Sequence, residues 1–186
     1  GRLAAAIDPL AQIAQYAYDE AGRLAERGLP DGTRETWTYD ALDHVSEKSD
    51  RATNSWTFGY DELGRLVAAT NPAGGIVRRA YNLDGTIDSI SDSDLGPVSN
   101  RYDAARRLVQ ILLPGGAAAA FAYNEHGEIV SATDENGSAA VFEYDADGRL
   151  VAEIDPDGKQ ARCFYDAAGE VTGAVDRVGG VYAYEY

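Results

Sequence analysis

The sequence predicts an all-β fold of repeated antiparallel β-hairpins, each 21 residues long, that together form a curled sheet. Three observations lead to this prediction: a fixed tyrosine period, two turn signals in each period, and runs of strand length between the turns. A fixed period of this size is typical of repeat proteins, whose units contact mainly their neighbours. The tyrosines recur every 21 residues without an insertion or deletion, at Tyr18, Tyr39, Tyr60, Tyr81, Tyr102, Tyr123, Tyr144, Tyr165 and Tyr186.

Each repeat, numbered here from its tyrosine as position 1, contains two turn signals. In the repeat that begins at Tyr60, Asp-x-x-Gly spans residues 61–64 and Asn-Pro-x-Gly spans residues 71–74. Asp and Asn side chains cap turns, Pro fixes φ, and Gly accepts positive φ. The runs between the turns are about six to eight residues long, an ordinary length for strands. Each repeat therefore contributes two strands.

The other repeats keep this pattern. Position 2 is always Asp or Asn, and position 5 is Gly except at Asp43 and Arg106. Position 7 is always aliphatic: Leu3, Leu24, Val45, Leu66, Ile87, Leu108, Ile129, Leu150 and Val171. Position 20 is usually aromatic, with Arg79, Asn100 and Cys163 as exceptions. Since residues two apart in a strand share a face, position 20 and the tyrosine that follows it at position 1 make one face the more apolar.

About nine repeats imply sixteen to eighteen strands in one YD-type repeat region over residues 1–186. Open sheets of more than about ten strands curl because twist accumulates, so we expect this sheet to roll up or to pack against something. Gly1 already lies within the repeat register. We therefore expect the chain to be a segment of a longer one.

Charge and composition exclude several classes of function. The net charge of −15 disfavours binding to nucleic acid or to an anionic membrane, because phosphates would be repelled. The charge fits a solvated acidic exterior, or else a basic partner. No run of apolar residues reaches the roughly 18–20 residues of a membrane-spanning helix. Cys163 is the only cysteine, so no intrachain disulfide can form.

The repeat motif resembles the YD repeat of Rhs proteins, which reads Tyr-Asp-x-x-Gly-Arg-Leu and then Asp-Pro-x-Gly. Residues 18–24, 60–66 and 144–150 match the first part closely, and residues 155–158 match the second. The motif recurs in phase along the whole chain. The chain is therefore identified as a member of this family.

The resemblance implies a structural role. YD-repeat proteins include bacterial polymorphic toxins, insecticidal toxin-complex subunits, wall-associated proteins and animal teneurins. Their repeats form a long sheet that spirals into a hollow shell, and in the bacterial toxins the shell encloses a variable C-terminal toxin domain. Export occurs by type VI secretion or by other routes. The repeats are not catalytic, and we find no match here to the self-cleavage segment or to a toxin domain.

A second period of 42 residues lies beneath the first. Alternate repeats carry Arg at position 6, Leu at position 7 and Pro at position 13: Arg23, Arg65, Arg107 and Arg149, with Pro30, Pro72, Pro114 and Pro156. The intervening repeats carry His44, Thr86, Glu128 and Glu170 at position 6. Either a 42-residue ancestor was duplicated, or the alternate hairpins have different surroundings. In the second case, the arginine turns should be more buried or more often ion-paired.

The residues suggest no catalytic, cofactor-binding or metal-binding site. The tyrosines could stack on sugars, but filling the apolar face explains them better. One carboxylate per repeat does not make a calcium loop, and turn capping also explains the denser pairs Asp145 with Asp147 and Asp155 with Asp157. His44 and His126 lie far apart, without zinc spacing. Cys163 replaces an aromatic residue and is expected to be a buried small hydrophobe.

The sequence therefore predicts a shell segment of an Rhs-type secreted bacterial toxin, not an enzyme, with no cofactor. Its partners would be the rest of its own chain, the enclosed toxin domain and secretion proteins. The alternative is a cell-surface adhesion module that binds carbohydrate. Because strand edges invite pairing, we also expect the isolated segment to self-associate.

Overall fold

A computed structural model of the chain describes residues 4–7 and 13–185. These residues form eighteen β-strands and no helix, which confirms the all-β class and the predicted number of strands. Accordingly, this part of the chain has no helix with the length and hydrophobicity to cross a membrane. The sequence features at Gly1, Arg2, Leu3, Pro9 and Tyr186 lie outside the described residues.

The chain divides into two compact units, residues 1–97 and 98–186. In the first unit, each strand pairs with the next one along the chain in antiparallel orientation, as expected for consecutive hairpins. Its strands are β1 (Ala5–Ile7), β2 (Ile13–Tyr18), β3 (Leu24–Gly28), β4 (Arg34–Tyr39), β5 (Val45–Ser49), β6 (Ser55–Tyr60), β7 (Leu66–Thr70), β8 (Ile76–Tyr81) and β9 (Ile87–Asp92).

The second unit repeats this arrangement, again with consecutive antiparallel pairs. Its strands are β10 (Gly96–Tyr102, which begins at the end of the first unit), β11 (Leu108–Leu112), β12 (Ala118–Tyr123), β13 (Ile129–Thr133), β14 (Ala139–Tyr144), β15 (Leu150–Ile154), β16 (Gln160–Tyr165), β17 (Val171–Val175) and β18 (Val181–Ala183). Most strands have five or six residues, slightly fewer than the sequence predicts.

The Asp-x-x-Gly turns are three-residue hairpin loops. In the turn after Tyr60, the Gly64 N–H donates to the Asp61 carbonyl at 2.9 Å, and the Asp61 N–H donates to the Arg65 carbonyl at 3.0 Å. Gly64 has a φ of 75°, the left-handed conformation that ends such a loop. Asp43 and Arg106 hold the same conformation, with φ of 69° and 62°, although side chains disfavour it.

The second turn of each repeat has the same geometry. The Gly74 N–H donates to the Asn71 carbonyl, and the Asn71 N–H donates to the Gly75 carbonyl, both at 2.9 Å. Pro72 occupies the first loop position, where its fixed φ suits the turn. In the preceding repeat, Thr53 stands where Gly74 stands here and adopts a φ of 64°. Both turn signals read from the sequence are thus real turns.

A β-bulge lies beside the tyrosines that end the longer strand of each hairpin. Gly59 pairs with Ala68, but Tyr60 pairs with Leu66, so Val67 has no partner opposite it. The same shift recurs at Tyr18, Tyr39, Tyr81, Tyr102, Tyr123, Tyr144 and Tyr165. A bulge bends its strand and increases the local twist. The sequence analysis did not predict these bulges.

The two faces of the strands differ as predicted. On β14, Phe142 and Tyr144 are half-buried while Val141 and Glu143 are exposed. We call the side that carries positions 18, 20 and 1 the tyrosine face, and the other side the opposite face. Among hydrophobic side chains of the described residues, only Ala152 is buried, at 3% exposure. The aromatic side chains therefore stay partly exposed to solvent, because no second layer of the described residues packs on them.

Candidate functional site

The most regular feature of the structure is a ladder of tyrosine hydroxyl groups. Tyr39 at the end of β4 donates its hydroxyl hydrogen bond to the carbonyl of Leu24 at the start of β3, at 2.8 Å. The hydroxyl thereby closes the open end of the β3–β4 hairpin. Five further tyrosines make the same bond 15 residues back, at 2.8–3.0 Å: Tyr60 to Val45, Tyr81 to Leu66, Tyr123 to Leu108, Tyr144 to Ile129 and Tyr165 to Leu150.

In alternate repeats, an arginine joins one turn to the next. The Arg65 Nε donates to the Asp61 carboxylate at 2.7 Å, within its own turn. A second nitrogen of Arg65 donates to the carbonyl of Asn82, in the first turn of the next repeat, at 3.5 Å. The guanidinium carbon lies 4.5 Å from the centroid of the Tyr81 ring, a cation–π contact. The Arg65 side chain thus contacts the carboxylate of its own turn, the first turn of the next repeat and the ladder tyrosine that precedes that turn.

The same constellation occurs four times, and we call it the arginine clamp. Each clamp comprises an arginine, the aspartate four residues before it and the ladder tyrosine that follows. The distance from guanidinium carbon to ring centroid is 4.5–5.1 Å in all four. The clamps are Arg23 with Asp19 and Tyr39, Arg65 with Asp61 and Tyr81, Arg107 with Asp103 and Tyr123, and Arg149 with Asp145 and Tyr165.

The clamp carboxylates also cap their turns. The Asp61 Oδ1 accepts the backbone N–H groups of Leu63 at 3.0 Å and Arg65 at 2.9 Å, while its Oδ2 accepts the arginine side chain. Hydrogen bonds from the Arg65 side chain and backbone therefore lower the pKa of Asp61. In Asp103, the backbone hydrogen bond from Arg107 is the leading cause of the lowered pKa. These carboxylates are held in the charged form.

The intervening turns lack this arrangement, with one partial exception. The His44 Nδ1 lies 3.0 Å from the Asp40 Oδ2, and the imidazole stacks on Tyr60 with a centroid separation of 4.6 Å. His44 therefore substitutes for the arginine of a clamp. Thr86 binds side chains within its own turn, at Asn82 and Asp84. Glu128 likewise accepts a hydrogen bond from Asn124 of its own turn.

The 42-residue alternation therefore has a structural correlate. All four arginines pair with a carboxylate four residues earlier, as the second explanation requires. Burial separates the two kinds of turn only at Glu170, which is exposed, because His44, Thr86 and Glu128 are half-buried like the clamp arginines. The two kinds of turn therefore differ mainly in the bonds that their position-6 side chains make to the next repeat, and less in how exposed those side chains are.

The remaining residues considered from sequence lie apart. Cys163 lies on the tyrosine face of β16, opposite Ala174, and is half-buried instead of buried as expected, because no second layer covers this face. His44 and His126 belong to separate turns of separate units. Within residues 4–7 and 13–185, no group of three or more His, Cys, Asp or Glu side chains is placed to hold a metal ion. The absence of site residues remains a prediction.

Sequence reasoning missed how the tyrosines and arginines act. It assigned the tyrosines to packing, whereas six of their hydroxyl groups make a specific backbone bond. The arginine was recognised by its period, but its contact with the following turn was not foreseen. The fixed 15-residue interval between a tyrosine and the preceding position 7 was visible in the sequence, as was the joint presence of Asp, Arg and Tyr.

Together, the fold and these junctions define a repeat scaffold. Its recurring geometry serves contacts between neighbouring turns and hairpins. The RHS Repeat family model matches the chain at residues 1–34, 39–76 and 123–160, which together make up more than half of it. The chain belongs to the RHS repeat family.

Solved structures share the fold. The chain matches the "Crystal Structure of TcdB2-TccC3" with a TM-score of 0.72 and 16% identity, over 92% of this chain and 11% of that one. It matches the structure titled "TcdB2-TccC3-TEV" with a TM-score of 0.71, at the same identity and coverage. The structure of "TcdB2-TccC3 without hypervariable C-terminal region" gives 0.60 and 14% identity, over 94% of this chain and 12% of that one. No curated protein sequence matches the chain.

The chain thus spans 11–12% of the length of these structures. At such low identity the likeness shows the fold alone.

Proposed function

We propose that the chain is a wall segment of an RHS-type toxin shell, which encloses a C-terminal toxin domain until delivery. The observation that carries the proposal is the series of repeat junctions that recurs within each unit, in which side-chain bonds connect neighbouring turns and close hairpins. Such a wall gains its stability from nearest-neighbour contacts and can extend without a conventional core. A container needs this property, whereas a compact enzyme does not.

The comparisons support this proposal in two respects. The chain has the fold of structures that contain TcdB2-TccC3, and one of their titles names a hypervariable C-terminal region. A variable region behind a constant wall is the arrangement expected of a container whose cargo changes. The small share of those chains that is matched also fits a segment of a longer protein, whose remaining parts would supply the rest of the wall and the cargo.

In this proposal the segment acts by containment and does no chemistry. The wall separates the toxin from proteases and from the targets of the producing cell. The protein would be bacterial and would act outside the cytoplasm, with the rest of its own chain and secretion proteins as partners. Type VI secretion and a toxin-complex assembly are both compatible routes, and the identity of the flanking segments would distinguish them.

Limited proteolysis of the full-length protein tests the proposal. We expect the C-terminal domain to resist protease in the native protein. It should become sensitive when Arg65, Arg107 and Arg149 are all replaced by Gln, because the clamps between turns are lost. The matched control replaces Arg78, Arg101 and Arg162, which are exposed on the opposite face. A C-terminal domain that is cleaved equally in all three proteins would contradict containment.

Carbohydrate binding by the tyrosines is the rival function. The ladder tyrosines are half-buried and use their hydroxyl groups within the sheet, which makes them poor platforms for a sugar ring. Specific binding of this chain on a glycan array, lost when exposed aromatic residues such as Phe164 are replaced, would favour the rival.

A further inference from the structure

The tyrosine face of the first unit carries an unusual row of side chains. Trp37 on β4 and Trp56 on β6 both pair with Lys48 on β5, which lies between them. They are the only two tryptophans in the chain. Further along the same face, Arg79 on β8 pairs with Ile90 on β9. We call this surface, from Arg27 to Ile90, the tryptophan row.

Arg79 is poorly satisfied within the protein. It occupies position 20, which is aromatic in most repeats. One of its terminal nitrogens, Nη1, is inaccessible to solvent and has no hydrogen-bond acceptor. A shielded donor without an acceptor costs free energy, and more so when it carries charge. The neighbouring Arg78 points to the opposite face and is exposed.

Three other cations of the row, Arg27, Arg51 and Lys48, have distant ion-pair partners or none in the described part of the chain. The Arg27 Nε is shielded and lacks a partner, and Arg27 reaches Glu35 only at 3.5 Å. Arg51 shares that same carboxylate at 3.9 Å. Lys48 forms no ion pair within 4.0 Å in the part of the chain that the structure describes. The carboxylates on this face are Glu35, which two arginines share, and Asp92, which lies opposite Val77.

The second unit provides the contrast. Its tyrosine face has Ala132, Ala140 and Ala161 at the corresponding positions, with Phe121 and Phe142 as the aromatic residues. A charged residue there, Glu153, pairs with Arg177. A cationic, tryptophan-bearing surface is therefore particular to the first unit, in a chain whose net charge is −15.

We propose that the tryptophan row is a binding surface for a polypeptide segment in which carboxylates alternate with apolar side chains. Trp and Arg are the residues that most often dominate binding energy at protein interfaces. The accessible nitrogens of Arg79 and Arg27 and the exposed ammonium group of Lys48 can donate to a bound segment, and carboxylates are the strongest acceptors that a polypeptide offers.

The surroundings of the row favour a peptide over a longer polyanion. The strands are five or six residues long, so acidic turns flank the row on both sides within about 20 Å. A nucleic acid or a long anionic polysaccharide that crossed the row would meet these carboxylates and be repelled. Isolated carboxylates on a peptide can reach the cations without approaching the turns. The inference does not rest on the containment proposal, since it concerns the surface itself.

The two tryptophans provide a built-in reporter, because the chain has no others. The probe is a short synthetic peptide of Glu, Leu and Phe that lacks Trp, and the matched peptide has Gln in place of Glu. Titration of residues 1–186 with the acidic peptide should shift the tryptophan emission and saturate. We expect the Gln peptide to bind the wild type about tenfold more weakly than the acidic peptide does. The acidic peptide should likewise bind Arg79→Gln about tenfold more weakly than it binds the wild type. Arg78→Gln, on the opposite face of the same strand, should bind like the wild type.

A stability measurement separates binding from folding. Arg79→Phe restores the aromatic residue of the other repeats, so we expect it to raise the melting temperature while it abolishes the emission change. Equal binding by Arg79→Gln and Arg78→Gln would overturn the inference, as would equal affinity for the acidic and Gln peptides. A stronger response to an oligogalacturonate than to the peptide would assign the surface to glycans and also overturn it.

Discussion

The contribution of the hydroxyl ladder to stability can be tested by a substitution that removes a single oxygen atom. Replacing Tyr81 with Phe removes the hydroxyl that donates to the Leu66 carbonyl at 3.0 Å and leaves the ring beneath Arg65 in place. A neutral hydrogen bond of this kind contributes about 1 kcal/mol to stability, and the carbonyl left without its donor adds to the loss. Because Tyr81 lies in the first unit, residues 1–97, and a unit of that length has a modest unfolding entropy, we expect the melting temperature of this unit to fall by about 4–8 °C.

The matched control is Tyr16→Phe. The Tyr16 ring is half-buried at position 20, and its hydroxyl makes no hydrogen bond in the described part of the chain. Urea and thermal unfolding, followed by circular dichroism, should show Tyr16→Phe within about 0.5 kcal/mol of the wild type. If Tyr81→Phe unfolds at the same urea concentration as Tyr16→Phe, the ladder does not stabilise the repeats and the reasoning fails.

Three further predictions concern turns, acid and association. Thr53→Gly should stabilise the protein by about 1 kcal/mol, and Gly74→Ala should destabilise it similarly, because both positions require positive φ; unfolding midpoints that move in the same direction would contradict this. The lowered pKa values of Asp61, Asp103 and Asp145 mean that their contribution is complete above their ordinary value of 3.8 and is lost as pH falls through the lowered values. Urea unfolding is therefore measured between about pH 2 and about pH 6, in steps of about half a pH unit. When all three aspartates are replaced by Asn, the free energy of unfolding should fall less on acidification than it does in the wild type. An unchanged fall would refute this role. We expect residues 1–186 to self-associate at high concentration through strand edges, and Val181→Lys to reduce it, since Val181 is 78% exposed on β18; strictly monomeric sedimentation would count against it.

Much of the fold could be predicted because local signals agree with one another. The Asp-x-x-Gly turns, the Pro-containing turns and the alternation of strand residues all occur in one register, so the hairpins followed directly. The Ala-rich run at residues 117–120 favours helix by propensity, yet it forms strand β12 because turns bound it on both sides. Here the neighbouring strands, and not intrinsic preference, determine the structure.

The junctions were harder to predict because they depend on geometry between repeats. The bulge beside Tyr60 has no sequence signal of its own, since the unpaired Val67 would suit an ordinary strand. The clamp requires Arg65 to reach Asn82, 17 residues away, and this distance is known only once the hairpins are paired. Similarly, Arg79 reads as an ordinary exception until its shielded nitrogen is seen.

The most direct test of the central claim is a cryo-electron microscopy structure of the full-length protein that contains these residues. The containment proposal predicts that residues 1–186 form part of a closed wall, with their tyrosine ladder continuous with further repeats and density for the C-terminal domain inside. A structure in which these repeats form an open stalk, with the C-terminal domain outside and accessible to solvent, would contradict it.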